Sequence, residues 1–499
     1  MNSTDSDVVL IGSGIMSATL GVLLKRLNPK LRITLYEVAD EISGEASDGW
    51  HNAGTGHAGI CELSYTPYPE PDGSVNVTKA IDIFQEFEAS LQFWAQCVAD
   101  GVLQDTTNFI NPVPHVSFVR TDEQVPYLKA RYDGMSAHHF FAPMEFTTDR
   151  AKITEWAPLL TEGRAQEAIA ATKMNGGSDV NFGEIARGLC AWLNEQEECK
   201  VLPGHRVTDL SRRSDGKTWS VTAERSFDGQ AFTSSTNFIF VGAGGGSILL
   251  LQNAGLPEAW GLGGFPIGGE WLVCDNPEVV SRHEAKVYGQ SPGSAPTMAV
   301  PHLDTRIING RKSLLFGPYA SWTTKYLHRH GRYTDLLRSI KPHNLATLLK
   351  IGATNLDLIG YLVQQGTQTM EDRVNALREF YPAAKSTDWR LIEAGIRVQA
   401  IKKTDGEAGI VHYGTEVLTS EDRSVSALLG ASPGASTSVH IVTEVIRKSF
   451  PELLAGDEGV ARMRQFIPTF DMDLKADGAG AKFRELAKPA REQLGLALD

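Results

Sequence analysis

The sequence is poor in cysteine and has no apolar stretch long enough to cross a membrane. Among its 499 residues there are 5 scattered cysteines, with no Cys-x-x-Cys pair. An odd number of isolated cysteines is typical of a reducing compartment and gives no disulfide framework. No run of about 18 uncharged apolar residues occurs, so no spanning helix is predicted. The short polar start, 1–7, carries no apolar leader, which favours a cytoplasmic location.

Positive charge is also in deficit. The chain has 60 Asp and Glu against 47 Lys and Arg, a net charge of −13. This balance argues against a nucleic-acid partner and against broad adhesion to anionic lipid. No His or Cys cluster has the spacing of metal ligands, so no metal site is predicted. No Gly-x-Ser-x-Gly elbow or Cys/His pairing indicates nucleophilic catalysis.

What the chain does contain is a dinucleotide-binding pattern at its start. An apolar strand over 8–11 leads into the turn Gly-Ser-Gly-Ile-Met-Ser at 12–17 and then into an apolar-faced helix. A second strand, 33–36, ends at Glu37. Strand, glycine turn, helix and a following acid in this order are typical of a nucleotide-binding βαβ unit.

Each part of this pattern has a physical role. Gly12 permits the tight turn, and Gly14 lets the backbone approach a pyrophosphate. The pyrophosphate is expected on the helix N-terminus, beside Ile15 and Met16. Glu37 is placed to accept hydrogen bonds from an adenosine ribose. These five residues are therefore predicted cofactor contacts.

A long irregular loop follows at 43–59. It is rich in small residues, which bring the backbone close to something flat or bulky. Long loops in compact domains are usually functional, which argues against a plain surface loop. The cofactor contacts predicted in this loop are Ser47, Asn52, Gly54, Thr55 and His57.

Two further glycine-rich stretches follow later in the chain, at 242–247 and 430–436. One phosphate site needs only the first stretch, so three indicate a larger ligand with a second ring system, for which FAD is the natural candidate. A helix that begins at the third stretch would stabilise the negative charge of a reduced flavin. The contacts predicted from these regions are Val207, Gly242, Ala243, Gly244, Gly430, Ser432, Gly434, Ala435 and Ser436.

The pattern of elements predicts an α/β fold, with a Rossmann-like FAD-binding domain and a second, substrate-binding domain that contains an antiparallel or mixed sheet and helices. The second glycine stretch has no following acid at the right distance, so it is interpreted as a strand returning to the first sheet. The FAD-binding domain is predicted over 1–80, 180–262 and 385–455. The substrate-binding domain is predicted over 81–179 and 263–384, and a helical tail over 456–499.

Four runs carry a resemblance to a known family. The opening Gly-x-Gly-x-x-Ser, the segment 50–59, Val-Pro-His-Leu-Asp-Thr-Arg at 300–306 and Gly-Ala-Ser-Pro-Gly-Ala-Ser at 430–436 resemble the malate:quinone oxidoreductases. The wider superfamily is similar to D-amino-acid oxidase, glycerol-3-phosphate dehydrogenase and L-2-hydroxyglutarate dehydrogenase. The resemblance implies non-covalently bound FAD, oxidation of (S)-malate to oxaloacetate, and electrons passed to a membrane quinone from the cytoplasmic face.

Oxidation of a 2-hydroxy acid needs a base for the hydroxyl proton, and histidine titrates nearest to neutral pH. His302 is the first choice, because a regular strand would turn His302, Asp304 and Arg306 to the same face. His57 is the alternative base. It resembles a histidine that lies close to the flavin in the hydroxyglutarate relative, so it is interpreted first as a flavin neighbour.

The substrate carboxylates need cations, and arginine binds a carboxylate through two parallel hydrogen bonds. Arg397 is the preferred anchor, since it lies between apolar residues and matches a carboxylate-binding arginine of the amino-acid oxidase relatives. Arg306 is the choice for the second carboxylate, with Lys402 and Lys403 as weaker options.

Two rival functions remain open. One is another 2-hydroxy-acid dehydrogenase or oxidase of the same fold, such as one acting on L-2-hydroxyglutarate; the other is a flavin-binding redox sensor without catalysis. The apolar segment 341–365 predicts either two ordinary helices split near Gly352 or a surface that enters lipid, and composition alone favours the helices. The quinone partner implies peripheral membrane contact, and the sequence gives no oligomeric state.

Overall fold

The computed structural model describes residues 5–290, 300–404, 407–410, 415–430 and 434–497. The strands are β1 Ser6–Ile11, β2 Ile33–Tyr36, β3 Ile110–Pro112, β4 His115–Arg120, β5 Glu145–Thr147, β6 Ile169–Met174, β7 Ser178–Val180, β8 Cys199–Leu202, β9 His205–Arg212, β10 Trp219–Arg225, β11 Ala231–Val241, β12 Gly263–Cys274, β13 Lys286–Tyr288, β14 His302–Ile308, β15 Arg311–Ser321, β16 Trp389–Thr404, β17 Glu407–Ile410, β18 Thr415–Thr419 and β19 Val425–Gly430.

The helices are α1 Ile15–Leu27, α2 Thr78–Ala99, α3 Gln124–Ser136, α4 Arg150–Trp156, α5 Phe182–Glu195, α6 Ser247–Asn253, α7 Pro277–Val280, α8 Asp335–Ser339, α9 Leu345–Thr354, α10 Leu356–Gly366, α11 Met370–Arg378, α12 Ser438–Ser449, α13 Gly456–Phe466 and α14 Gly480–Gln493.

The first sheet has the order β18-β19-β11-β1-β2-β8, and its central strands run parallel. Strand β1 is buried on both faces, which is why its residues 8–11 are uniformly apolar. Helix α1 packs on one face beside α5 and α12. The predicted βαβ start is therefore present, and the carboxyl ends of β1, β2 and β11 lie at one edge, where α/β sheets bind ligands.

The second sheet has nine strands in the order β17-β16-β12-β15-β14-β13-β4-β6-β5. Its strand pairs are antiparallel except for β13 with β4. Strands β14 and β15 form the hairpin predicted at Asn309-Gly310, and both residues of that turn have positive φ, as a two-residue hairpin turn requires. The α/β fold with a second, largely antiparallel sheet is thus confirmed.

The sheet changes at Gly263, where the second domain was predicted to resume. One part of the predicted division does not follow the sheets. Strands β16 and β17 belong to the second sheet, where β16 pairs with β12, although 385–455 was assigned to the FAD-binding domain. The alternation of Ile396, Val398 and Ala400 with polar residues indicates a strand, but it carries no information about which sheet accepts that strand.

The predicted helical tail is packed against the first part of the molecule. Helix α14 lies on α2, and Arg491 forms a buried ion pair with Glu88 of that helix. Over the segment 341–366 the chain forms two helices that separate at Asn355 rather than near Gly352. Across the described residues, no helix combines the length and the apolar character needed to span a membrane.

Candidate active site

A cavity of about 790 Å³ lies between the carboxyl edge of the first sheet and the inner face of the second. The turn after β1, the loop 43–59 and strands β14 and β16 all contribute to its walls. Every described site residue predicted from the sequence lines this cavity except Arg306; the surroundings of Gly430, and Ser432 itself, lie outside what the structure describes. The far-apart glycine stretches therefore meet in one place.

Gly12 and Gly242 are in contact at the nucleotide end of the cavity. Gly12 has a φ of +91°, and a Cβ there would stand 2.6 Å from the carbonyl oxygen of Gly242. A Cβ on Gly242 would in turn stand 2.3 Å from Oγ of Ser17. Neither position has room for a side chain, so the loops after β1 and β11 together present a surface made only of backbone atoms.

The N-terminus of α1 faces this backbone surface. Gly14 begins the helix without a side-chain cap, and the first turn has no acidic residue. The Ile15 amide donates to Ser47 Oγ at 3.2 Å. An uncapped helix start with glycine before it is a site for a phosphate group, because its free amides and dipole attract negative charge.

Glu37 holds the turn in place. One of its oxygens accepts hydrogen bonds from the amide and hydroxyl of Ser13, at 2.7 and 2.6 Å, and the other accepts from the Ala39 amide at 2.8 Å. The carboxylate is 5 % exposed and lines the cavity. Its position beside the turn fits the ribose contact predicted for it.

The loop 43–59 and the third glycine stretch meet through Ser436. Its hydroxyl donates to the Thr55 carbonyl at 2.9 Å and accepts from the His57 amide at 3.1 Å. The Thr55 hydroxyl lies 2.7 Å from that of Tyr288, on the second sheet. The loop 43–59 therefore ties both sheets to the start of α12. A dinucleotide cofactor such as FAD fits this set of features: close-packed backbone turns, an uncapped helix start and the Glu37 carboxylate beside the first turn.

Five charged or titratable side chains form a buried network at the other end. His302 Nδ1 lies 2.9 Å from Asp304 Oδ2, and Lys286 Nζ lies 3.4 Å from the same oxygen. Lys286 also lies 2.9 Å from Asp179, which pairs with Arg306 at 2.9 Å. The positive charges of Lys286 and Arg306 balance the negative charges of Asp179 and Asp304, so the network is neutral when His302 is neutral.

The network affects the titration of Asp304. Burial alone would raise the pKa of this carboxyl group, but the charges of His302 and Lys286 outweigh burial and hold the pKa below its ordinary value. The His302 ring stacks on Tyr288 at 4.4 Å with an angle of 4° between the planes. His302 is thus held on both sides while it faces the cavity.

Arg306 lies on the predicted face of β14 but outside the cavity lining. Its guanidinium donates to Asp179 and to the carbonyl oxygens of Gly49 and Val180, and the residue is fully buried. Its described hydrogen bonds all go to protein atoms and it does not line the cavity, so Arg306 is not placed to bind the second substrate carboxylate. It has the structural ion-pair role instead.

Arg397 does lie in the cavity wall, on β16. Within the described part of the chain, no carboxylate forms an ion pair with it and no hydrogen bond reaches its guanidinium. Burial lowers its pKa, and the neighbouring Tyr65 and Glu62 act in the opposite direction. A half-buried cation that faces a cavity and has no described partner is suited to an anionic ligand.

His57 is half-buried between Tyr65 and Tyr288. Burial, with the positive charge of nearby groups, lowers its pKa to about 3. A general base is most effective when its pKa is near the working pH. His57 is therefore a weak candidate for the base, and its place beside the loop 43–59 favours the role of cofactor neighbour.

Several cavity residues were not singled out from the sequence. Lys79 and Tyr65 are the clearest, and the Lys79 ammonium lies 5.2 Å from the centre of the Tyr65 ring. Lys286 and Asp179 complete the network beneath His302. Their sequence neighbourhoods contain no motif, so only spatial proximity could identify them. Lys402 does not line the cavity, and the side chain of Lys403 lies outside the described residues.

Comparison with known proteins identifies the family. The family model "Malate:quinone oxidoreductase (Mqo)" matches residues 4–496. The chain belongs to the malate:quinone oxidoreductase family. It is 48% identical over 472 residues to the "probable malate:quinone oxidoreductase 2" of Pseudomonas aeruginosa, covering 94% of this chain and 92% of that one. It is 47% identical over 492 residues to the "probable malate:quinone oxidoreductase" of Geobacillus kaustophilus, covering 98% and 97%.

Solved structures confirm the fold. Glycine oxidase from Geobacillus kaustophilus matches with a TM-score of 0.57 at 15% identity, over 90% of this chain and 95% of that one. L-alpha-glycerophosphate oxidase from Mycoplasma pneumoniae, solved with FAD bound, matches with a TM-score of 0.56 at 16% identity, over 89% and 94%. Within the described ranges, no group of three or more His, Cys, Asp or Glu side chains could hold a metal ion.

Proposed function

We propose that this member of the family oxidises (S)-malate to oxaloacetate with bound FAD and passes the electrons to a membrane quinone. The observation that supports this most is a single cavity with two kinds of wall. One end is bare backbone from the glycine stretches, and the other carries Arg397 and the supported His302. A dinucleotide and a small dianionic substrate fit these two ends respectively.

The residues that would hold FAD are the turn at Gly12 and Gly14, the Glu37 carboxylate, and the cradle made by the loop 43–59 with Ser436. When bound, FAD supplies the acceptor for the hydride that leaves C2 of malate. The chain would contribute a preorganised enclosure around the reacting atoms, since Tyr65 and Tyr288 are buried there and His57 is half-buried between them.

His302 is the proposed base for the C2 hydroxyl proton. Nδ1 faces Asp304, and Nε2 makes no hydrogen bond to any described residue, so Nε2 is the nitrogen that meets the hydroxyl. Protonation gives the imidazolium a positive charge, which the Asp304 carboxylate at 2.9 Å stabilises. Asp304 and Lys286 are positioning residues, because they act through His302.

Two cations are proposed to bind the substrate carboxylates. Arg397 supplies a guanidinium fork with which no described side chain pairs, and Lys79 lies in the cavity lining beside Tyr65. Between them they would orient malate so that C2 faces the reacting ring, which is the positioning part of catalysis. Lys79 replaces Arg306 in this role.

Because the electron acceptor is a lipid-soluble quinone, we expect the protein to lie on the inner face of the cell membrane as a peripheral protein. Steady-state assays with a panel of 2-hydroxy acids, with and without a quinone analogue, test the function. We expect malate to be the best substrate and turnover to need the quinone. Preference for 2-hydroxyglutarate, or direct reduction of oxygen, would favour the first rival, and no turnover at all would favour the sensor.

A further inference from the structure

The large exposed apolar side chains of this protein are not evenly distributed. Of the twelve found in the described part of the chain, eight lie within the short stretch 322–363. We call these eight, together with Trp260, the docking surface; they are Trp322, Tyr333, Leu337, Ile340, Leu345, Leu349, Leu356 and Val363. Single exposed apolar residues are ordinary, but such a concentration marks a site of interaction.

Contacts connect these residues into one region. The Trp260 ring stacks on His343 at 4.5 Å, just before α9. Helices α9 and α10 follow each other directly and touch. At the end of α10, Gly366 lies so close to Trp322 that a Cβ there would stand 2.1 Å from its ring. The docking surface therefore continues from Trp260 over both helices to Trp322.

The charge of this region is opposite to that of the chain. The segment 321–366 contains six Lys and Arg against two Asp, a surplus of four positive charges in a chain whose net charge is −13. One of the acids, Asp335, is buried and accepts hydrogen bonds from the amides of Tyr326 and Arg332. Arg329, Arg338 and Lys350 are exposed and form no ion pair with a described side chain. The exposed charge is thus positive.

The inner side of the same region borders the cavity. Leu362 of α10 is buried at 5 % exposure and lines the cavity, whereas Leu356 and Val363 of that helix are 67 % and 47 % exposed. The helix is apolar toward the cavity and apolar toward the outside. The outer apolar side chains of such a helix are exposed to water, which is unfavourable unless an apolar partner covers them.

We propose that the docking surface inserts into a bilayer of anionic phospholipid, with α10 as the wall that separates the lipid from the active-site cavity. Leucines and tryptophan enter the acyl boundary while the exposed arginines and lysines meet the lipid phosphates. This inference rests on the proposed transfer of electrons to a lipid quinone, since it gives that quinone an apolar route along α10.

The test uses full-length holoenzyme and flotation with two kinds of vesicle, phosphatidylcholine alone and phosphatidylcholine with phosphatidylglycerol. We expect binding to the anionic vesicles, weakened by salt. Leu349→Gln should weaken it about tenfold, and Leu349→Gln with Leu356→Gln further, since each buried leucine contributes about that factor. Phe227→Gln is the matched control, because Phe227 is 81 % exposed but lies far along the chain from the docking surface.

Charge and function are tested separately. Lys350→Gln should weaken binding to anionic vesicles about fivefold, and the control Lys30→Gln should not. All variants should keep malate oxidation with a water-soluble acceptor while the leucine variants lose reduction of quinone dissolved in the vesicles. Equal vesicle binding by parent and leucine variants, or no binding by the parent, would overturn the docking surface. No oxidation with the soluble acceptor would instead overturn the proposed function.

Discussion

The two ends of the cavity are built in different ways. The nucleotide end is made of backbone, with Gly12 and Gly242 packed so closely that neither has room for a Cβ. The substrate end is made of side chains from separate strands: His302 and Asp304 lie in a buried, charge-balanced network on β14, and Arg397 of β16 lies in the cavity wall without a described partner. We expect the first end to bind its ligand through shape and peptide dipoles, and the second end to bind through charge and to accept a proton.

Because the two ends differ, substitutions at each end should impair a different property of the protein. A side chain added at the nucleotide end blocks the space that the cofactor needs, so binding itself should fail. A side chain removed at the substrate end leaves the cofactor cradle intact, so chemistry or substrate affinity should fail instead. Four expected results separate the two ends, and they follow in order of size.

Gly12→Ala should give the largest effect, a protein that loses its flavin and all activity. The new Cβ would stand 2.6 Å from a backbone oxygen at a φ of +91°. The flavin absorbance of the desalted protein measures the loss, and circular dichroism checks the fold. Gly216→Ala is the control, since Gly216 has a φ of +66° and open space around it. A yellow, active Gly12→Ala protein would contradict the backbone description.

His302→Asn should keep the flavin but lower kcat by about 10²- to 10⁴-fold, the range that general-base catalysis usually contributes. Comparison of kcat and flavin content with those of the parent gives the answer. His343→Asn serves as the control, because His343 stacks on Trp260 outside the cavity. Normal turnover of malate by a flavin-containing His302→Asn protein would remove His302 from the mechanism and return His57 to consideration.

Arg397→Gln should lower kcat/KM by about 10²-fold, mainly through a higher KM, because a charge-assisted pair with a carboxylate is lost. Arg390→Gln on the same strand is the matched control, since Arg390 is half exposed and pairs with Asp275 outside the cavity. Titration of initial rates with malate measures both constants. An unchanged KM in Arg397→Gln would show that the substrate carboxylate binds elsewhere.

Acid should weaken the fold through histidines near the substrate end. Burial lowers the pKa of His57 to about 3 and those of His115 and His283 to about 4. The unfolded chain therefore takes up more protons below the ordinary histidine pKa of about 6.5, so stability falls as pH drops from there toward 4.

The loss is about 2 kcal/mol for His283 alone between about pH 8 and about pH 5. Urea unfolding at the two pH values measures it, and His283→Gln should show a smaller difference than the parent. If the variant loses as much stability in acid as the parent does, burial of a neutral His283 is not the cause.

The same contrast explains how far the sequence could predict the site. The nucleotide end follows from local patterns, because glycine spacing and strand order fix a backbone turn within a few residues. The same face of β14 was correctly predicted to carry His302, Asp304 and Arg306, since alternation along a strand is also local. A local pattern does not show which residue from a distant part of the chain a side chain will contact.

Arg306 shows this limit most clearly. Its charge is satisfied by Asp179, 127 residues earlier in the chain, and neither residue carries a signal of the other. Lys79 and Lys286 were missed for the same reason. The strand around Arg397 was predicted and is present as part of β16, but it pairs in the second sheet although 385–455 was assigned to the FAD-binding domain, because the strand pattern does not identify the neighbouring strands.

We propose that one cavity brings a flavin held by backbone to a malate held by Arg397 and His302. Anaerobic mixing of the purified protein with malate, followed by its visible flavin absorbance, tests this most directly. We expect rapid bleaching in the parent protein, with bleaching slowed in His302→Asn and shifted to higher malate concentrations in Arg397→Gln. A yellow protein that malate does not bleach, or equal bleaching in all three proteins, would contradict it.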